Sequence, residues 1–292
     1  MFIAGIDGGG THTRIELRDM DNGLIRRGDF GPFNINSVGE AAFRDLLRQV
    51  FAWCGGMEQC ARLCVGAAGI SNPKVEEILG EELENAGFAG KWKLCGDQEI
   101  ALRGAMEGAG LVVIAGTGSI CFGKNAAGET ARSGGFGHLI DDGGSGYALG
   151  RAVLSAAVCI LDGRVENSGI LRAVCDRLGG GPEKIVPFVY SPHTDKAAIA
   201  KLCYVALELA EQGDGEAEKI LRREAEELAL LVKAVQNRLG MPGCRVALLG
   251  GLLTEENSYR TAVAETLGML GPVVKAEHSA LWGAAQMAWE LR

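Results

Sequence analysis

The sequence predicts an α/β fold built from two similar parts, and three observations support this prediction. Short apolar segments alternate with stretches whose apolar residues recur at helical spacing, as in sheets covered by helices. An apolar segment is followed by a glycine-rich loop twice, at residues 7–13 and again at residues 116–119. Both loops lead into a further strand-like segment rather than into a helix, so the same strand, loop and strand pattern starts twice.

The first part opens with strand-like segments and continues as strand and helix units. Residues 13–18 alternate with a period of two, which predicts a half-buried strand, whereas residues 38–54 place apolar residues at helical spacing. The predicted strands of this part are 2–6, 13–18, 24–30, 62–68 and 91–95, and its predicted helices are 38–54, 74–86 and 99–107.

The second part restarts at Leu111 with strands that continue to about Ser133, and it then becomes mostly helical. Its later predicted elements are helices at 145–161, 169–178, 195–211 and 216–239, strands at 245–249 and 272–276, and a helix at 279–291. We therefore predict a first domain at 1–108 and a second at 109–279, with the final helix, 280–292, packing back on the first.

Composition and charge narrow the class of protein. The 292 residues are 47% hydrophobic, with a mean hydropathy of +0.11, which is enough for two globular cores. The 44 glycines are roughly double the usual share, so glycine serves turns and close backbone approaches. The net charge of -8 argues against a nucleic-acid partner. With no basic, apolar leader and no long apolar segment, we expect a cytoplasmic protein without a membrane partner.

The nine cysteines are dispersed, and several lie inside apolar segments. An odd, scattered set without a Cys-x-x-Cys pair fits reduced, buried thiols better than a disulfide framework or a zinc site.

The first glycine loop, residues 7–13, has the residue types of a phosphate site. Three consecutive glycines permit positive φ, so that neighbouring N–H groups could face one anion. Threonine hydroxyls add donors, and a carboxylate at the end of a strand could hold Mg²⁺ through water. An ordinary hairpin turn is the alternative. The residues concerned are Asp7 for Mg²⁺ and Gly8, Gly9, Gly10, Thr11 and Thr13 for phosphate.

The second glycine loop, residues 116–119, is by itself a common turn. It gains significance because it occupies the same place in a repeated pattern. Two such loops could hold the β- and γ-phosphates of a nucleotide from either side, with Mg²⁺ spreading the charge that develops during transfer. Its residues are Gly116, Thr117, Gly118 and Ser119.

Asp97 follows a predicted strand and precedes a predicted helix. A carboxylate in that position either caps the helix or acts as a general base, and both roles can hold together.

Three further segments contain candidates for ligand contacts. Asp141 and Asp142 are adjacent carboxylates flanked by glycines, and they suit the hydroxyls of a sugar, although capping of a helix near Ser145 explains them too. Asn34 lies in a loop where Asn36 or Ser37 would already cap the next helix. Gly250 and Gly251 follow a strand, where a nucleotide base could approach the backbone or where the chain simply turns.

Taken in order, these segments resemble the N-acetylglucosamine kinase family, the sugar-kinase branch of the BadF/BadG/BcrA/BcrD-type ATPases. The resemblance rests on the segments 7–13, 31–34, 66–69, 114–119, 134–147 and 249–252 together with Asp97. It implies two actin-like (ribonuclease H-like) lobes with the active-site cleft between them. It also implies ATP and Mg²⁺ as cofactors and a small-molecule sugar as the partner.

By this resemblance, Asp97 is the catalytic base rather than only a helix cap. The phosphate-binding residues implied are Gly8, Gly9, Gly10, Thr11, Thr13, Gly116, Thr117 and Gly118, with Gly250 and Gly251 at the adenosine and Asp7 at Mg²⁺. The sugar-binding residues implied are Asn34, Asp97, Ser119, Gly135, Asp141 and Asp142. The chain departs from the family at Gly143, where a glutamate is usual, and at Phe136, where a tryptophan is usual.

The sequence thus predicts an ATP-dependent kinase that acts on a hydroxyl, expected to be O6, of an amino sugar such as N-acetylglucosamine or glucosamine. The alternative is an ATPase that energises a partner iron–sulfur enzyme, for which cysteines would have to share a cluster across a dimer. A sugar-sensing repressor would need a helix-turn-helix, for which the first strand leaves no room. We expect a homodimer.

Overall fold

The structure is a computed structural model that describes residues 1–10, 12–70, 72–166 and 168–292, with only the backbone of Ser37. It divides into two compact units. Unit 1 is formed by Met1–Gly108 together with Ala276–Arg292, and unit 2 is formed by Ala109–Lys275.

Strands and helices alternate through much of the chain. The strands are β1 (Phe2–Gly8), β2 (Thr13–Arg18), β3 (Leu24–Phe30), β4 (Cys60–Ala67), β5 (Lys91–Gly96), β6 (Gly110–Ala115), β7 (Ser119–Lys124), β8 (Thr130–Gly134), β9 (Val246–Leu249) and β10 (Val273–Val274). The helices are α1 (Ile35–Val38), α2 (Glu40–Trp53), α3 (Lys74–Asn85), α4 (Asp97–Ala105), α5 (Gly146–Leu161), α6 (Ile170–Leu178), α7 (Ile185–Val189), α8 (Lys196–Ala200), α9 (Cys203–Glu211), α10 (Gly215–Leu239), α11 (Ser258–Gly268) and α12 (Ala280–Glu290), with a 3₁₀ turn at Pro182–Lys184.

The sheet of unit 1 has the strand order β3-β2-β1-β4-β5. β1, β2 and β3 pair antiparallel, whereas β1, β4 and β5 run parallel. Successive residues of β1 face opposite sides of this sheet, as strand geometry requires. Ala4 and Ile6 pack in the core that α2 and α3 cover, whereas Ile3 packs with residues of α4 and α12. Because β1, β4 and β5 are parallel, their carboxyl ends meet at one edge, where candidate residues follow β1 and β5.

The sheet of unit 2 repeats this connectivity. Its order is β10-β9-β6-β7-β8, with β6, β7 and β8 antiparallel and β6, β9 and β10 parallel. Helices α5, α9, α10 and α11 supply most of the apolar residues that pack with it. The second glycine loop therefore joins the first two strands of its sheet, as the first glycine loop does in unit 1.

Helix α12 packs in unit 1 against β1 and α4 at very short range, through glycines. A side-chain carbon on Gly5 would overlap the backbone of Ala285, and one on Gly283 would overlap the carbonyl oxygen of Ile100. On α4, a side-chain carbon at Gly104 would overlap the carbonyl oxygen of Ser279. These glycines are therefore required by backbone contact rather than by an unusual φ.

The helical segments differ from the sequence prediction in two ways. The predicted helix 195–211 is broken into α8 and α9, since Leu202 donates to the carbonyl of Ile199, three residues back, and so makes a tighter turn. Two short helices, α1 and α7, were not predicted, because a helix of one turn is too short to show apolar periodicity.

Candidate active site

Asp7 and Arg14 form an ion pair at the edge of the unit 1 sheet where β1 ends. Arg14 Nη2 lies 2.9 Å from Asp7 Oδ2, and the side chain of Asp7 is 12% exposed. The two residues are directly opposite in the antiparallel pairing of β1 with β2. Arg14 was not singled out from the sequence, although a hairpin register across the first glycine loop would have placed it beside Asp7.

Asp97 is the first residue of α4, immediately after β5, and it is not the helix cap. The cap position is Gly96, whose N–H lies 3.4 Å from Glu99 Oε1. Asp97 Oδ1 instead accepts from the N–H of Gln98 at 3.0 Å. Capping therefore does not account for a carboxylate at this position. The negative charge of Asp97 still interacts favourably with the dipole of α4, because Asp97 lies in the first turn.

Burial raises the pKa of both carboxyl groups above their ordinary values. For Asp7 the main cause is desolvation, which Arg14 opposes. For Asp97 the main cause is again desolvation, and the negative charge of Asp7 raises its pKa further. A carboxylate with a raised pKa is a stronger base than an exposed one, so Asp97 is suited to accept a proton from a hydroxyl group.

The first glycine loop does not have the backbone conformation that we predicted. None of Gly8, Gly9 and Gly10 has φ in the left-handed region, so the expected nest of positive-φ glycines is not formed by these three residues. Gly8 is required instead because a side-chain carbon there would lie 2.6 Å from the ring of Phe33. Gly9 donates to the carbonyl of His12 at 2.9 Å and accepts from Phe33, whereas Gly10 has open space beside it.

Of the two threonines predicted to bind phosphate, Thr11 lies outside the described residues. Thr13 is fully buried, and its hydroxyl donates to the carbonyl of Gly31 at 2.6 Å. A hydroxyl has one hydrogen to donate, and Thr13 uses it to bond the segment just after β3. The prediction that Thr13 donates to phosphate is therefore corrected.

Asn34 has a local role that the sequence interpretation assigned to its neighbours. It is the N-cap of α1, and its Oδ1 accepts from the N–H of Asn36 at 3.1 Å. A side-chain carbon on Gly69, just beyond β4, would lie 3.1 Å from the same Oδ1. The structure therefore brings Asn34 to the edge of the sheet, where Ala68 also donates to the carbonyl of Gly8 at 2.9 Å.

In unit 2, the second glycine loop is fixed by the first turn of α5. Gly146 donates to the carbonyl of Gly116 at 2.7 Å, and Tyr147 donates to that of Thr117 at 3.3 Å. Gly116 donates in turn to the carbonyl of Gly118 at 2.9 Å. The carbonyls of this loop are thus tied to the helix, and the positive end of the α5 dipole lies at the loop, which favours an anion there.

The adjacent carboxylates Asp141 and Asp142 have different surroundings. Asp142 is 3% exposed and has a φ of 66°, and its Oδ1 lies 3.4 Å from the N–H of Ser119. Asp141 accepts from the N–H of Phe136 at 3.0 Å and so closes the loop at residues 136–141. Asp142 therefore packs against the second glycine loop, whereas Asp141 orders the segment that carries the exposed Phe136.

Gly135, Gly250 and Gly251 are the remaining predicted site residues of unit 2. Gly250 has a φ of 90°, and a side chain there would overlap the carbonyl oxygen of Ala115, so the turn after β9 packs on the end of β6. Gly251 is exposed beside it, and Gly135 is exposed with a φ of 76°. Unit 2 thus brings Gly116, Thr117, Gly118, Ser119, Asp142 and Gly250 together, as unit 1 does with Asp7, Gly8, Gly9, Asn34 and Asp97.

The residues at the end of β1 fit the magnesium ion that the sequence suggests. Magnesium is usually held by one or two carboxylates together with waters and substrate phosphates, rather than by a complete protein cage. Asp7 supplies one such carboxylate, largely buried and close enough to Asp97 for their charges to interact. Across the residues that the structure describes, no group of three or more His, Cys, Asp or Glu side chains could hold a metal by itself.

Six of the nine cysteines are buried, whereas Cys159, Cys175 and Cys244 are half-buried. Burial raises the pKa of Cys54 and Cys60 to about 12, which disfavours the thiolate that iron or zinc would require. Cys64 and Cys95 lie with their Sγ atoms 4.0 Å apart, inside the core that α4 and α12 cover. In the described part of the chain, no helix has both the length and the apolar character that crossing a membrane would demand.

Comparison with known proteins gives extensive similarity along the whole chain. The N-acetylmuramic acid/N-acetylglucosamine kinase of Clostridium acetobutylicum is 34% identical over 283 residues, which cover 94% of this chain and 92% of that protein. The N-acetyl-D-glucosamine kinase of Dictyostelium discoideum is 29% identical over 82% of this chain and 81% of that protein.

A solved structure from Chromobacterium violaceum, provisionally named an N-acetylglucosamine kinase, matches with a TM-score of 0.80 and 27% identity over 98% of both chains. The predicted α/β fold with two actin-like lobes is confirmed. The family model described as the BadF/BadG/BcrA/BcrD ATPase family matches residues 4–288, which confirms the resemblance inferred from the sequence. The chain therefore belongs to the BadF/BadG/BcrA/BcrD ATPase family.

Proposed function

We propose that this protein is an ATP-dependent sugar kinase that transfers the γ-phosphoryl group of ATP to a hydroxyl, O6, of an amino sugar of the N-acetylglucosamine type. The observation that carries the proposal is the half-buried carboxylate of Asp97, which is not needed as a helix cap and whose pKa is raised by desolvation. The names of the two curated relatives support the choice of an amino sugar as the acceptor.

In the proposed reaction, Asp97 accepts the proton of the sugar hydroxyl as its oxygen attacks the γ-phosphorus. The bond from that phosphorus to the β,γ-bridging oxygen breaks, and ADP leaves. We assign phosphate binding to the first glycine loop of unit 1 and to the second glycine loop of unit 2. Asn34 and Asp141 are the proposed sugar contacts, and the turn at Gly250 and Gly251 is the proposed adenosine contact.

We propose that Asp142 supports the second glycine loop, because its side chain accepts a hydrogen bond from the N–H of Ser119. Gly118 allows this close approach, since a side-chain carbon on Gly118 would lie 3.1 Å from Asp142 Oδ2. Asp7 would hold Mg²⁺ through water, and the ion, when bound, neutralises the negative charge that develops on the phosphates.

A panel of acceptors tests this function. We expect ATP and Mg²⁺ to give ADP release with N-acetylglucosamine, and we compare it with N-acetylmuramic acid, glucosamine, N-acetylmannosamine, glucose and no sugar. Turnover should depend on the sugar, because a kinase excludes water as a competing nucleophile. ADP release that is the same with and without sugar would replace this proposal with an ATPase.

The position of phosphorylation is tested separately. The methyl glycoside of N-acetylglucosamine has no free anomeric hydroxyl and keeps O6, so we expect it to be phosphorylated, whereas the 6-deoxy sugar should be inert. Phosphorylation of the 6-deoxy sugar would exclude O6. Homodimer formation and a cytoplasmic location stay predictions, and light scattering of the purified protein tests the first.

Arg14→Gln is expected to move the acidic limb of the pH profile of kcat/KM toward higher pH. Activity should fall as pH drops because Asp7 must be ionised to hold Mg²⁺, just as Asp97 must be ionised to accept a proton. Arg14 favours the ionised form of Asp7, so its removal raises the pKa of Asp7, and Asp7 then loses its charge at a higher pH.

Arg27→Gln is the matched control for this prediction. Arg27 is 55% exposed against 54% for Arg14, and it also pairs with a buried carboxylate, that of Glu16 on β2. Arg27→Gln therefore removes one positive charge from a side chain of similar exposure, but that side chain is paired with Glu16 rather than with Asp7. The acidic limb of the pH profile should stay at the same pH. An equal shift in both variants would mean that the profile reports net charge rather than the ion pair of Asp7 and Arg14.

A further inference from the structure

The loop at residues 141–146, hereafter the 141–146 loop, is held from one side by long helices of unit 2. Gly144 has a φ of 79°, and a side-chain carbon there would overlap the side chain of Leu228 on α10. A carbon on Gly143 would lie 3.1 Å from Glu227, also on α10. The glycines thus allow the loop to lie directly on the surface of that helix.

Two buried side chains from different helices hold the two polar backbone groups of Gly144. Glu224 of α10 accepts from its N–H at 2.8 Å, through Oε2. Tyr259, at the start of α11, donates its hydroxyl to its carbonyl at 2.7 Å. Glu224 is 7% exposed and Tyr259 is fully buried. Burying a carboxylate and a phenol costs free energy unless both are hydrogen-bonded, and here both bond to the backbone of Gly144. Such a buried and fully bonded network holds the backbone rigidly.

The opposite side of the same loop contacts the second glycine loop. Ser119 Oγ donates to the carbonyl of Gly143 at 2.7 Å, and Gly146 donates to the carbonyl of Gly116 at 2.7 Å. Asp142, between these contacts, accepts from the N–H of Ser119. Any shift of Gly144 would therefore move the groups to which we assign phosphate and acceptor binding.

We propose that Glu224 and Tyr259 are positioning residues, which hold Gly144 so that the 141–146 loop fixes the second glycine loop and Asp142 in their working geometry. The proposal rests on the proposed function for its effect on turnover, and on the structure alone for its effect on loop rigidity. The hydrogen bond of each side chain goes to the backbone of Gly144, which we do not assign to ligand binding, so both act through that residue.

Three variants test the proposal. Tyr259→Phe keeps the ring and removes the hydroxyl donor, Glu224→Leu removes the acceptor at similar volume, and Glu224→Gln keeps an oxygen that can accept. We expect Tyr259→Phe and Glu224→Leu to lower kcat by about tenfold to a hundredfold, because small displacements of catalytic groups carry costs of that order. Glu224→Gln should keep kcat within about twofold of the wild type, since one neutral hydrogen bond replaces one charged bond at the same place.

Gln236→Leu is the matched control. Gln236 lies on the same helix as Glu224, is 5% exposed, and donates to the carbonyl of Leu270 at 2.9 Å, away from the 141–146 loop. Gln236→Leu should lower the melting temperature as Tyr259→Phe does, because each substitution leaves one backbone carbonyl without its hydrogen-bond donor. Gln236→Leu should nevertheless leave kcat unchanged. A fall of kcat in this control as large as in Tyr259→Phe would show a general loss of stability and overturn the proposal.

Two measurements without turnover separate this proposal from the proposed function. Amide hydrogen exchange across residues 141–147 should become faster in Tyr259→Phe and Glu224→Leu but not in Gln236→Leu, and an equilibrium titration should show weaker ATP binding in the same two variants. If exchange is faster while kcat is unchanged, or if exchange and ATP binding are both unchanged, the positioning role is wrong. If sugar does not increase ADP release by the wild type, the kinase proposal fails. The hydrogen-exchange and ATP-binding measurements still decide whether Glu224 and Tyr259 are positioning residues. Should Glu224→Leu not fold, Tyr259→Phe decides alone.

Discussion

Asp97→Asn is expected to lower kcat by about 10²- to 10⁴-fold, the range that a positioned general base contributes. The affinity for sugar should change much less, because an amide can still hydrogen-bond a hydroxyl group. The melting temperature at neutral pH should stay the same or rise. Burial raises the pKa of Asp97 in the folded protein, so ionisation above that pKa opposes folding, and asparagine removes this opposition.

Glu99→Gln provides the control for Asp97→Asn. Glu99 lies two residues further along the first turn of α4, accepts from the N–H of Gly96 and pairs with Lys93 at 3.4 Å. It therefore loses the same charge on the same helix without losing the proposed base. Steady-state kinetics and a thermal melt of both variants suffice. Near-normal turnover of a folded Asp97→Asn protein would remove Asp97 from the mechanism.

Gly104→Ala is expected to destabilise unit 1 by about 1–3 kcal/mol, the usual cost of forcing an extra carbon into a packed site. This change is opposite in sign to the usual effect, since replacing glycine by alanine inside a helix normally stabilises the protein by roughly 0.5–1 kcal/mol. The reversal arises because a side-chain carbon on Gly104 would overlap the carbonyl oxygen of Ser279, at the start of α12. Urea unfolding of the purified variant measures the change.

Gly268→Ala makes the same substitution where the structure leaves room. Gly268 is the last residue of α11, its φ is not in the left-handed region, and nothing lies within 4 Å of an added carbon. We expect stabilisation by up to about 1 kcal/mol. If both substitutions change the free energy of unfolding in the same direction, the close contact between α4 and α12 does not have the energetic consequence inferred here.

The sequence predicted those features that local patterns encode. The repeated strand, loop and strand pattern at residues 7–13 and 116–119 correctly indicated an α/β fold that starts twice. Asp97 was also correctly placed at a strand-to-helix junction, yet the pattern alone could not show whether Asp97 or Gly96 would be the cap. That choice depends on the backbone angles of one residue, which neither spacing nor composition determines.

Contacts between distant segments could not be predicted in this way. The hydrogen bonds of Gly144 join it to residues 80 and 115 positions further along the chain, and nothing near Glu224 or Tyr259 distinguishes them from ordinary helix residues. Thr13 shows the reverse case. Its place in a glycine-rich loop favoured a phosphate contact, but its hydroxyl bonds Gly31, 18 residues away, because the hairpin brings that carbonyl beside it.

The discontinuity of unit 1 affects the order in which the protein can be assembled during synthesis. Unit 2 is one continuous segment, Ala109–Lys275, and all of it is translated before Ala276–Arg292. The larger part of unit 1 is translated first but lacks α12, the helix that covers Ile3 and lies on Gly5, until unit 2 has been translated. The helix that carries Asp97, α4, therefore depends for its packing on a segment that is translated after the whole of unit 2.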